Sequence, residues 1–419
     1  MKAKHPPYAV EPGAGRRVIL LQGPSSLFFK DLGIALRRYG ANVLRVGYTP
    51  GDRLFWSRSA GAFTLCAVPV AEYGDWFAAL LASEQPTDIV MLGDGRTYHR
   101  EAILQARSLA APPNLHIVEH GYLRPGLIVV DPDGMGANSR IPERFRTYCC
   151  DKDASADCPD RPRGAGFAGY AALDVTYHLT GVLLGRFVNP HFVHASLDPP
   201  LREYFGWARK AVTRPYRRRL QRKAEARLAM PRNGPCFLFP LQLSNDFQVR
   251  QHGCGMSMER TLRMLLESFA RQAPADALLI IKRHPLDNGL TNWHGLILAW
   301  AMKLGIGERV EYLDKGSIES LLEFVSGVVT INSTVGLTAI MAGKPCHVLG
   351  KAVYDIPGLT SGMPLERFWS APPAPDANLA RKFRSFLLEN YHIPGCFDGP
   401  GSKIGAERLA ERICRGPEP

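Results

Sequence analysis

The chain has 419 residues, 46% apolar and 21% charged, with 51 Lys and Arg against 39 Asp and Glu, a net charge of +12. That length predicts two or three domains. The balance excludes a disordered chain, a fibrous repeat and a small disulfide scaffold, and the excess cations point to nucleic acid, a phosphorylated substrate or an anionic membrane.

Residues 17–21 read as a short apolar strand, 28–38 as a helix with Phe28, Leu32, Ala35 and Leu36 on one face, and 42–46 as the next strand. Strands at 88–92 and 115–118 flank a helical stretch at 102–110. Such alternation predicts a parallel sheet covered by helices. Polar residues follow the strands, where open α/β sheets bind ligands: Gln22, then Asp94 and Arg96, then Glu119, His120, Tyr122 and Arg124. The second half repeats the pattern, with strands at 236–240, 278–282, 310–313, 328–331 and 345–349. Helices are expected at 259–271, 293–304, 318–324, 335–342, 380–390 and 406–414. The fold class is therefore α/β, with two Rossmann-like domains facing a central cleft. The expected boundaries are 1–200, a basic interdomain segment at 201–232, 233–400, and a terminal helix and tail at 401–419.

Nine cysteines without a CxxC pair suit a reducing compartment. Cys149, Cys150 and Cys158 cluster loosely but lack a second pair at zinc spacing, so no metal is expected. The N-terminus lacks an apolar signal core. The uncharged run 324–343 contains Ser326, Asn332, Ser333 and Thr334, which favours a strand, turn and helix over a membrane span.

Residues 209–227 hold nine Lys/Arg and one acid, Glu225, so two-thirds of the net charge sits there. Just upstream, Leu201, Tyr204, Phe205, Ala208 and Val212 fall at helical spacing beside Trp207. Aromatic groups with Arg217, Arg218 and Arg219 nearby suit an anionic bilayer; a solvated interdomain helix fits the same composition. No helix-turn-helix, zinc-finger or RNP pattern supports nucleic acid.

Three motifs of the second half carry chemistry. The turn Asn332-Ser333-Thr334 joins a strand to a helix and offers backbone N–H groups to an anion, or else is an ordinary N-cap. Lys282-Arg283-His284-Pro285 ends a buried strand with cations and an imidazole able to donate to a leaving phosphate. Gln242 and Asp246 follow the first strand of the second domain, placing a carboxylate where a nucleophile or base would act; a loop-capping Asp is the alternative. No P-loop, GxGxxG, HExxH or GxSxG pattern occurs, and no DxD-like pair recommends a metal-dependent sugar transferase.

The segments LLQGPSSLFFKDLGIALRRYG, GDRLFW, LGDGRTYHREAI, EHGYLRPG, PLQLSNDFQ, IKRHPLDNGLTNW, INSTVGL and GKAVYDIPGLT, running in order over most of the chain, resemble the bacterial capsule polysaccharide synthesis/export family, in particular its KpsS/LipB-type β-Kdo transferases. The resemblance implies a GT-B-like enzyme that moves Kdo with retention from CMP-β-Kdo to a phosphatidylglycerol-type lipid, starting a poly-Kdo linker. It implies no metal cofactor and a cytoplasmic protein peripheral to the anionic inner membrane. Implied partners are a second poly-Kdo transferase and an ABC capsule exporter, with no nucleic acid. It further implies that His284 and Pro285 engage the CMP moiety, that Ser333 and Thr334 hold its phosphate, and that Gln242 and Asp246 mark the catalytic carboxylate. The chain departs from the family pattern at Glu119-His120, where a second acid is expected, so Asp94, Glu119 and His120 all stand as base candidates. Two alternatives share these features: a transferase of another sugar nucleotide, and a non-catalytic glycolipid-binding export protein.

Overall fold

The computed structural model describes residues 12–148, 162–194, 200–243 and 257–415. Asp246 and the three clustered cysteines Cys149, Cys150 and Cys158 lie outside them. In chain order come β1 (Arg17–Leu20), α1 (Phe28–Arg38), β2 (Asn42–Gly47), α2 (Pro50–Leu54), β3 (Ala62–Leu65), α3 (Tyr73–Glu84), β4 (Asp88–Leu92), α4 (Thr97–Arg107), β5 (Asn114–His120) and β6 (Leu127–Asp131). Two helices follow, α5 (Ile141–Arg146) and α6 (Phe167–Val188). Next are α7 (Pro200–Val212), α8 (Arg214–Leu228), β7 (Cys236–Pro240), α9 (Met258–Gln272), β8 (Leu278–Lys282), α10 (Trp293–Lys303), β9 (Val310–Leu313), α11 (Ile318–Phe324), β10 (Gly327–Thr330), α12 (Thr334–Met341) and β11 (Cys346–Val348). The described chain ends with α13 (Leu365–Phe368), α14 (Ala377–Asn390), β12 (His392–Pro394) and α15 (Pro400–Arg415).

These elements form two α/β units. The first holds a seven-stranded sheet in the order β12-β6-β5-β4-β1-β2-β3. Strands β1 to β5 run parallel, while β6 is antiparallel to β5 and β12 to β6. The second unit holds a five-stranded sheet, β11-β10-β7-β8-β9, with every pairing parallel. Both faces of its central strands are buried, which is why β7 and β8 read as continuous apolar runs, CFLFP and LLIIK. Helix α9 forms because Met258, Leu262, Leu265, Leu266 and Phe269 recur at helical spacing, and the Ser257 side chain accepts from the Arg260 N–H to cap its start.

The division differs from the expected one at the C-terminus. Among the described residues, 387–415 belong with the first unit and 136–148 with the second. Strand β12 completes the first sheet against β6, and Ala406, Leu409, Ala410 and Ile413 of α15 join the core made by Phe28, Leu32 and Leu36 of α1. Burying each such Leu or Ile contributes about 1.5–3 kcal/mol, which holds the returning segment in place. The described part of 201–232 forms most of α7 and all of α8 in the second unit. Ala224 of α8 is buried among Leu238, Ile280 and Leu313 of the second unit.

Candidate functional site

The parallel order of the second sheet brings the carboxyl ends of β10, β7 and β8 side by side. Gln242, two residues past β7, is the hub. Its Nε2 donates to Asn332 Oδ1 at 2.8 Å, and its Oε1 accepts from the Asn332 N–H at 3.2 Å and the Thr330 hydroxyl at 3.5 Å. Ser333 caps α12, its Oγ accepting from the Val335 N–H at 3.2 Å, while its own N–H donates to Thr330 Oγ1 at 3.2 Å. The Tyr354 hydroxyl donates to the Ser333 carbonyl. A Cβ at position 336 would meet that hydroxyl at 2.4 Å, so Gly336 is what lets Tyr354 reach the turn. The turn is thereby fixed with Thr334 as the first residue of α12.

Lys282 ends β8, paired in register with Pro240, and is buried. Burial lowers the pKa of its ammonium, and Glu319 only partly offsets this. A buried cation at the carboxyl end of a parallel sheet is suited to an arriving anion of the phosphate type. His284 is half-buried, and its Nδ1 accepts from the Leu286 N–H at 3.1 Å. In the neutral ring the proton therefore sits on Nε2, as a donor. Pro285 is exposed beside it.

In the first unit, Gln22 follows β1 and is buried, donating to the Tyr177 hydroxyl at 3.3 Å. Arg96 immediately precedes α4 and reaches the Gly23 carbonyl at 3.3 Å, with Asp52 and Glu119 within electrostatic reach. Asp94 is buried and accepts from the Met135 N–H at 2.9 Å, which makes it a support of the β6 loop. Glu119 is half-buried at the end of β5, and His120 is exposed there with its ring edge on Phe397. Arg124 is exposed, its Nε donating to the Gly121 carbonyl at 3.3 Å.

Tyr122 is latched by a histidine that the motif reading passed over. His392 Nδ1 donates to the Leu387 carbonyl at 2.8 Å, and its Nε2 accepts from the Tyr122 N–H at 2.9 Å. That pair of bonds requires a neutral ring, and burial lowers its pKa to about 4. The folded pKa lies below the usual value of about 6.5, so the stabilisation is complete above pH 6.5 and is lost as pH falls toward 4. Lowering the pH from 7 to 5 should cost about 2 kcal/mol at this site. Melting temperatures across that range should fall less steeply in His392→Asn than in the wild type; equal slopes would remove His392 from the account.

A model of the capsule polysaccharide biosynthesis protein family matches residues 87–398, well over half of the chain. The chain belongs to that family. The capsule polysaccharide export protein KpsS of Escherichia coli is 33% identical over 90% of this chain and 95% of its own. The capsule polysaccharide modification protein LipB of Neisseria meningitidis serogroup A is 28% identical over 92% of each chain. Among solved structures, the KpsC beta Kdo 2,7 transferase of Thermosulfurimonas dismutans is 16% identical, covering 95% of this chain and 98% of that one with a TM-score of 0.45.

Within this capsule-family chain the basic helices divide their charge. Arg218 and Arg219 are exposed on α8, but Arg217 pairs with Asp314 at 2.5 Å and donates to the Lys210 carbonyl. Trp207 is half-buried with the Lys210 ammonium 4.2 Å from its ring centre. Arg217 is thus an internal brace, against the expectation that it faces a membrane. Arg217→Gln should lower stability by about 2–4 kcal/mol by leaving Asp314 short of a partner. Arg218→Ser with Arg219→Ser should stay within about 0.5 kcal/mol. Denaturant unfolding separates the two, and equal effects would contradict the assignment. Among the described residues no helix is long and apolar enough to cross a membrane.

The motif reading also missed Arg45 and Asp52. Arg45 sits mid-strand in NVLRVG, pairs with Asp52 at 2.8 Å, and lies 4.9 Å from the Phe29 ring centre. Asp52 also accepts from the Tyr177 hydroxyl at 2.9 Å and the Tyr48 N–H at 2.9 Å. The signal was present: Thr49-Pro50-Gly51-Asp52 is a capping box, formed with both reciprocal bonds.

Proposed function

We propose that the chain is a retaining glycosyltransferase that moves Kdo from CMP-β-Kdo to a phosphatidylglycerol-type lipid at the cytoplasmic face of the inner membrane, starting a capsule linker. Family membership makes capsule polysaccharide biosynthesis the setting. The observation that carries the catalytic reading is the fixed Gln242–Asn332–Ser333 turn at the carboxyl end of the sheet in which buried Lys282 ends β8. That turn is held at the carboxyl end of a parallel sheet, which supports reading it as the place of a nucleotide phosphate.

In this proposal CMP binds with its phosphate at Lys282 and the Ser333-Thr334 turn, the Pro285 bend framing the nucleotide. His284 donates through Nε2–H to the departing phosphate oxygen. An Asp246 carboxylate oxygen forms a bond to the anomeric carbon as the bond to the phosphate oxygen breaks, releasing CMP. The lipid hydroxyl oxygen then displaces Asp246 and yields its proton to Glu119 or His120. Two inversions give retention. Gln22, Arg96, Tyr122 and Arg124 serve the acceptor, and Asp94, which accepts from the Met135 N–H, is the third candidate for that base. No step calls for a metal. The pathway partners remain those that the family resemblance implies, a second poly-Kdo transferase and an ABC exporter.

Calorimetry with CMP, UDP and ADP tests the donor class. CMP should bind at least about tenfold more tightly than the others, a difference of about 1.4 kcal/mol. Equal binding of all three would overturn the CMP assignment and favour another sugar nucleotide.

A further inference from the structure

A pocket of about 360 Å³ opens in the second unit where α7 and α8 meet the loop before α10. That volume is within the range of small-ligand sites, about 300–1,000 Å³. Arg209, Lys210, Arg217 and Arg283 line it. Two carboxylates oppose them: Asp314, 2.6 Å from Arg283 and 2.5 Å from Arg217, and Asp287, 2.5 Å from Arg283. Four cations against two anions leave a net excess of two positive charges. The Lys210 ammonium is held over the opening by the carbonyls of Asp287 at 2.8 Å and Pro285 at 3.3 Å. Arg209 is braced in the same way on Gly289 and Leu290. These two cations are positioned by backbone oxygens, with no carboxylate bound to either in the described residues.

The rim is what distinguishes a lipid from a soluble anion. Tyr216 and Leu298 line the pocket, yet they are 62% and 45% exposed. Outside the lining, Val212 at the end of α7 and Met302 on α10 are 80% and 67% exposed. Apolar side chains around a cationic hole match a bilayer interface, with phosphate inside and acyl chains against the rim.

We propose that this pocket holds the phosphodiester headgroup of an anionic phospholipid and docks the second unit on the bilayer, separately from the Gln242–Ser333 site. The proposal rests on the membrane-surface reading above and gives it a built site in place of diffuse charge. Arg218 and Arg219 then add only long-range attraction.

The test uses the full chain and phosphatidylcholine vesicles with and without phosphatidylglycerol. Arg209→Gln with Lys210→Gln should lower affinity for the phosphatidylglycerol vesicles about 30-fold, at about 1 kcal/mol per basic residue. Arg222→Gln with Lys223→Gln removes the same charge from an exposed stretch of α8 outside the pocket and should cost no more than about threefold. Equal losses in the two pairs would overturn the proposal in favour of diffuse attraction. Should the first pair lower the melting temperature, Tyr216→Ser with Leu298→Ser replaces it and must also weaken vesicle binding; unchanged binding there overturns the proposal. Short-chain phosphatidylglycerol should compete with vesicles, whereas inorganic phosphate at equal concentration should not; equal competition by phosphate would mark a free-anion site and also overturn it. CMP binding is measured in parallel and should be unchanged in the Arg222/Lys223 and Tyr216/Leu298 variants. Its absence in the wild type would defeat the transferase reading while leaving the vesicle result to decide the pocket on its own.

Discussion

Asp246→Asn should lower kcat for Kdo transfer about 10³-fold or more while leaving CMP affinity within about threefold. The amide keeps the size and most of the hydrogen bonding of the carboxylate but cannot form the covalent adduct that two inversions require. Losing a nucleophile or its equivalent costs enzymes on the order of 10³-fold or more, with residual rate coming from binding and electrostatics alone. Since binding of the nucleotide is assigned to Lys282 and the Ser333 turn, the loss should fall on kcat and spare the affinity for CMP. Full turnover by Asp246→Asn would move the nucleophile elsewhere. A parallel loss of CMP affinity would make Asp246 a binding residue.

Lys282→Met should separate stability from activity. Lys282 is buried, and its lowered pKa says that the site disfavours the charged form when no anion is present. A group held below its unfolded pKa in this way makes the folded state less stable at neutral pH than at alkaline pH, because the unfolded chain binds the proton more readily. Met keeps the length of the side chain and removes the charge. The ligand-free protein should therefore gain about 1 kcal/mol, as is common when a functional charge is removed. Transfer should fall about 10²-fold, the usual cost of deleting one preorganised donor to developing charge. Calorimetric melting and steady-state rates on the same preparation read both effects. A destabilised Lys282→Met that keeps its activity would show that the lysine serves the fold alone.

Much of the second unit was legible because its strands are short, apolar on both faces and punctuated by polar turns. The strands at 236–240, 278–282 and 310–313 stand where the sequence puts them, to the residue. The Asn332 turn and the Lys282 strand end could be assigned to one edge of the sheet for the same reason: in a parallel sheet, residues that follow successive strands share an edge. The bonds of Gln242 to Asn332 were beyond sequence reading, since 90 positions separate them. In the first unit, β12 was missed because it has three residues and pairs with a distant segment, whereas β6, LIVVD, carries the same buried apolar signal as β7 and was passed over. Helix α6 was missed for a different reason. Leu183 and Phe187 stand exposed on it, so its apolar residues do not confine themselves to one buried stripe. Arg217 looked like its neighbours Arg218 and Arg219, and only the fold brings Asp314 to it. Charge counting gives the sum over a segment but not which members are already paired.

The product mass after incubation of the full chain with CMP-Kdo and a short-chain phosphatidylglycerol bears on the account most directly. The lipid should gain the mass of one Kdo residue with stoichiometric release of CMP. Lipid recovered unchanged while CMP-Kdo stays intact would contradict a transferase of this donor and acceptor, and a ladder of several additions would contradict its place at the start of the linker.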